Sequence, residues 1–190
     1  SFDGYAFWLR HAFAPLFPET GVLWIMRVVL ITSLILHVTS AVILYFRGRK
    51  FRGKHRAKKY RNGLQAVSAR LMPLTGVLIL AFLIFHVLDL TVGAAPVATE
   101  AFNGPTATES VAYSNLVASF SRPPVAIFYS LMMVLLALHV AHGAHNIAVD
   151  FGSMGKRLRM TFVVVGAVAA IAILLGNASL PIAVQMGWLS

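Results

Sequence analysis

Three histidines, His37, His86 and His139, sit inside long apolar runs of a chain that has seven histidines and no cysteine. An imidazole in hydrocarbon is costly, so one that persists there has a partner, a neighbouring helix or a metal. His142 and His145 follow His139 in the stretch HVAHGAHN. On a helix His142 lies about 60° from His139 and His145 about 120° from it, so the three make no single metal-facing row. A three-His zinc site is therefore disfavoured. With no thiolate, the chain alone holds neither a disulfide nor a Cys-ligated iron–sulfur cluster. A redox metal here needs histidine or a ligand from another chain.

The elements that must position these residues follow from apolarity. The 190 residues are 58% hydrophobic and only 12% charged, too little charge for a soluble domain of this size. Four runs approach or exceed the roughly 20 residues that cross a hydrocarbon core as a helix. They are Val22–Phe46, Leu71–Val92, Pro124–Val149 and Met160–Leu175. The expected fold is all-α: one transmembrane helix-bundle domain over residues 1–190, with four spanning helices. Pro123-Pro124 suits a helix start, and Pro181 is expected to break the last helix. Gly93–Arg122 reads as an outer loop. Phe2, Tyr5, Ala6, Leu9 and Phe13 recur at helical spacing and predict an N-terminal interfacial helix.

Charge sets the orientation. Nine of the sixteen Lys and Arg residues crowd Arg47–Arg61 (RGRKFRGKHRAKKYR), and Arg70, Lys156, Arg157 and Arg159 share that side. Asp3, Glu19, Asp89, Glu100 and Glu109 lie on the other. This is the positive-inside pattern of a multi-pass inner-membrane protein, and it accounts for the net charge of +10 without nucleic acid. The basic loop reads as a topology signal in contact with anionic lipid. Arg27 and Asp89 fall near span ends, where polar groups reach the interface. His11 and His55 are expected to be exposed. A chain that starts outside calls for a preceding helix before Ser1.

At about 1.5 Å per residue, His37 lies ~15 Å from the inner face, His139 ~16 Å and His86 ~24 Å. Two imidazoles at one depth on facing helices can supply both axial ligands of a haem b iron, and bundle cores are where such groups are held. Hydrogen bonding to a neighbouring helix is the competing role for each. His86 has no partner at its depth in this sequence. His142 is a candidate for a haem propionate or a neighbouring helix, and His145 is expected to be solvated.

Three stretches, FDGYAFWLRHAFAPLFPETGVLWIMRVVLITSLILHVTSAV, ARLMPLTGVLILAFLIFHVLDLTVG and AYSNLVASFSRPPVAIFYSLMMVLLALHVAHGAHN, resemble the cytochrome b subunit of bacterial succinate:quinone oxidoreductase. The similarity is to the single-chain, five-helix, di-haem form found in actinobacteria and some other bacteria. YSNLVASFSRP and LHVAHG are its more distinctive elements. The resemblance implies that His37 and His139 ligate the inner, higher-potential haem and that His86 ligates the outer, lower-potential one. The family's first helix, which carries the remaining ligand, would precede Ser1. Relatives can lose one or both haems, so a different redox centre sharing partner cysteines remains a competing expectation. The implied partners are a flavoprotein and an iron–sulfur protein on the cytoplasmic face, with a further small membrane subunit as an option, and menaquinone as the electron acceptor.

Quinone candidates are Ser68 and Arg70 at the inner side and Trp24, Arg27 and Asp89 at the outer side; Arg27 and Arg70 are alternatively propionate partners. The competing functions are the haem b subunit of a hydrogenase or formate dehydrogenase, and a haem-free structural anchor. A transporter is disfavoured, because no run is broken midway and no carboxylate is expected deep in the membrane.

Overall fold

A computed structural model of the chain describes residues 2–13, 16, 18–52, 64–104, 106, 111–150 and 155–190, without the side chains of 52, 64–69 and 148–150. Helices α1 (Phe2–His11), α2 (Gly21–Arg52), α3 (Leu64–Val87), α4 (Ala112–Phe120), α5 (Pro123–Asp150), α6 (Lys156–Ile173) and α7 (Ser179–Gln185) follow in order, with no strand among the described residues. Two π-turns, Leu88–Val92 and Leu174–Ala178, extend α3 and join α6 to α7. Four helices are long and apolar enough to cross a membrane: 21–51, 70–92, 123–147 and 156–185. The chain is an integral membrane helix bundle.

It divides into two compact units, Ser1–Arg61 with Pro105–Tyr113, and Asn62–Gly104 with Ser114–Ser190. In the first, α1 forms where the sequence predicts it, and the Thr20 N–H donates to the Arg10 carbonyl (2.7 Å). The Asp3 carboxylate accepts from the Tyr113 N–H at 2.9 Å. Trp24, Ile25, Leu30, Ile31, Ile35 and Leu36 on α2 are exposed. α2 is longer than expected: the helix continues through Arg47, Arg49 and Lys50, so the start of the basic segment is helical. The rest of that segment, His55 included, lies outside the described residues.

In the second unit α5 is central and packs against α3, α6 and α7. Its core joins Phe82, Leu116, Phe120, Tyr129, Met132, Met133 and Val184. Gly166 lets α6 close onto α5, since a Cβ there would lie 2.4 Å from the Ala144 Cβ. Gly93, at φ +71°, ends the π-turn after α3, and the Phe102 ring covers the face where a side chain would stand.

Three expectations are corrected. The second helix, expected from Leu71, starts at Leu64 and holds Pro73 inside it. The outer segment is not all loop: α4 forms because Leu116 and Phe120 bury together, four residues apart, on one helical face. Pro181 does not break the last span, which runs 156–185. The preceding π-turn widens the helix where the proline ring would otherwise strike the carbonyl of Asn177.

Candidate functional site

His139 lies on α5, half-buried, and its Nδ1 is 3.2 Å from the Thr75 hydroxyl on α3. That hydroxyl also reaches the Met72 carbonyl at 3.0 Å, and it has one proton. Both contacts are satisfied only if Thr75 donates to the carbonyl and accepts from the His139 Nδ1–H. The arrangement therefore selects the tautomer with its lone pair on Nε2, the form of imidazole that ligates a metal. Gly76 follows Thr75, and a Cβ on it would stand 3.7 Å from the His139 Cε1, so the α3 backbone passes close beside the ring.

His86 is the penultimate residue of α3, half-buried among aromatic rings. Its ring is 5.9 Å from that of Phe82 and 6.0 Å from that of Tyr129. Its Nδ1 is buried with no hydrogen-bond partner among the described residues, as are His142 Nε2 and His145 Nδ1. A buried polar nitrogen left unsatisfied costs roughly 1–3 kcal/mol, so such positions fit side chains that meet a bound group. A haem fits this donor set: one imidazole already oriented by a hydroxyl, and others with unsatisfied ring nitrogens. His145, expected to be solvated, is half-buried instead, with its Nδ1 enclosed.

His37 sits midway along α2, in the other unit, with its side chain exposed. Arg27 stacks over the Trp24 ring at 5.0 Å on the same helix. Arg70 is exposed, and the Ser68 side chain is outside the described set.

The largest departure from expectation is Asp89. It does not reach the interface: it is 1% exposed. The π-turn that begins at Leu88 carries it inward. Its Oδ1 accepts from Arg122 Nη2 at 2.6 Å. Its Oδ2 accepts from the Ser119 hydroxyl at 2.5 Å and the Tyr129 hydroxyl at 2.9 Å. Arg122 also donates to the Val97 carbonyl (2.8 Å) and, through Nε, to the Ser119 carbonyl (3.3 Å). The cluster ties α3, α4 and α5 together just beyond His86. Sequence reasoning singled out Asp89 but missed Ser119, Arg122 and Tyr129. The available signal was an acid at the end of an apolar run with an arginine across the following loop.

The outer end of this unit is locked by the buried Asp89–Arg122 ion pair. No curated protein and no solved structure matches the chain. The succinate dehydrogenase/fumarate reductase transmembrane subunit family matches residues 49–176, which include His86, His139, Thr75 and the Asp89 cluster but not His37. With that match over more than half its length and four membrane-crossing helices, the chain belongs to the succinate dehydrogenase/fumarate reductase transmembrane subunit family.

Proposed function

We propose that the chain is the membrane anchor and electron-carrying subunit of a bacterial succinate dehydrogenase. It passes electrons from an iron–sulfur subunit, through haem b, to menaquinone in the plasma membrane. The family match supports the role in the complex. The observation that carries the haem is the Thr75–His139 pair, which presents Nε2 as the lone-pair nitrogen.

Haem b, when bound, supplies a one-electron iron couple whose potential the protein tunes through ligands, hydrogen bonds and burial. His139 would ligate the haem iron, held in register by Thr75. His37 is its proposed partner on the strength of sequence depth, and His86 is the proposed ligand of an outer haem of the di-haem type. The other ligand of the outer haem comes from outside this sequence. The buried nitrogen of His142 suits a propionate, and Arg27 is a second candidate for that contact. Among the quinone candidates, Trp24, Arg27, Ser68 and Arg70 remain proposals. Asp89 is the weakest, since three donors already occupy its carboxylate. The basic segment beginning at Arg47 faces the cytoplasmic partners and anionic lipid.

Affinity purification of the tagged chain from native membranes tests the assignment. A flavoprotein with covalently bound FAD and an iron–sulfur protein should co-purify with succinate:quinone reductase activity. Co-purification with a hydrogenase or formate dehydrogenase catalytic subunit would overturn it.

A further inference from the structure

The Asp89 cluster has more structure than a helix anchor requires. Asp89 follows His86 by three residues, about 60° around an ideal helix. Tyr129 links the two: its hydroxyl donates to Asp89 Oδ2 at 2.9 Å, and its ring stands 6.0 Å from the His86 ring at 62°. Phe82, Phe85, Phe120 and Phe128 pack around Tyr129 with centroids 4.9–6.4 Å away, so the tyrosine has little room to turn. The charges in the cluster are not equivalent. The Asp89 side chain is 0% exposed, whereas that of Arg122 is 31% exposed. Solvent screens the arginine more than the carboxylate. The residual field near His86 is therefore negative, in a medium of low dielectric.

We infer that Asp89 is a positioning residue for the redox centre at His86: through Tyr129 it fixes the imidazole plane, and through its charge it favours the oxidised, more positive state of that centre. The inference rests on the proposal that His86 is a haem ligand. It assigns to a side chain of this sequence the lowering of one centre's potential relative to the other.

The test is potentiometric titration and low-temperature electron paramagnetic resonance of the purified, membrane-extracted complex. In Asp89→Asn the midpoint of the His86-dependent haem should move positive while that of the other haem stays in place. In Tyr129→Phe, which keeps every charge, the low-spin g-values of the same haem should shift at unchanged haem content. If Asp89→Asn fails to assemble, Tyr129→Phe decides alone. Native midpoints and g-values in the assembled variants would overturn the inference and leave His86 as a ligand untouched. Equal shifts of both haems would also overturn it, because a local device cannot move a distant centre. A His86→Ala complex with all haem signals intact would overturn the underlying ligand assignment, and the inference with it.

Discussion

Removing Arg122 should damage this protein more than neutralising the acid it pairs with. Asp89 is wholly enclosed, and Arg122→Leu would leave its carboxylate with only the Ser119 and Tyr129 hydroxyls. Breaking a buried pair by deleting one partner costs about 3–5 kcal/mol, because the other charge stays desolvated. Two carbonyls, those of Val97 and Ser119, would also lose a donor. Asp89→Asn is different. It leaves Arg122, whose side chain is already 31% exposed and can turn toward water. The loss is then the charge-assisted part of three hydrogen bonds, about 1–2 kcal/mol. The double variant, with no buried charge, should be more stable than Arg122→Leu alone. Unfolding of the complex in lipid nanodiscs, followed by helical circular dichroism across the double-mutant cycle, measures all three values. The reasoning fails if Arg122→Leu lies within about 0.5 kcal/mol of the native protein, the usual range for an inconsequential surface change. It fails equally if Asp89→Asn is the more damaging substitution.

Two further outcomes follow from close contacts. Gly166→Ala would set two Cβ atoms 2.4 Å apart between α5 and α6. It should cost about 1–3 kcal/mol in the same unfolding assay, with recovery on adding Ala144→Gly. Thr75→Val keeps the shape of the side chain but removes the acceptor for His139 Nδ1–H. Loss of such an outer partner typically weakens a metal site about 10–100-fold, so the variant should shed haem during purification while Thr75→Ser retains it. Equal haem retention in both variants would refute the tautomer argument.

The spans were legible because hydrocarbon imposes a length and an apolarity that few residues can satisfy. α5 begins at Pro123, one residue from where the proline pair put it, and α1 forms on the expected apolar spacing. The ends were less legible. α2 carries basic residues past the apolar run, since Arg and Lys are good helix formers once outside the bilayer. Pro181 misled because its effect depends on the turn before it, and a π-turn leaves no simple periodic mark. The histidines could be picked out singly, since each is an isolated polar residue in an apolar run. Thr75 could not, because a threonine in a membrane helix usually bonds its own backbone and nothing local shows that it also reaches α5. The Asp89 cluster was invisible for a similar reason: its partners lie 30, 33 and 40 residues away. Only the folding of α4 back onto α3 and α5 brings them together.

The central claim is that imidazoles of this chain ligate haem, with His139 presenting Nε2 to the iron. The most direct measurement is the reduced-minus-oxidised absorption spectrum of the purified complex, native and with His37→Ala, His86→Ala and His139→Ala. The account predicts a b-type band in the native complex, one component of which disappears in both His37→Ala and His139→Ala and survives in His86→Ala. A native complex without that band, or a His139→Ala complex with the full band, would contradict it.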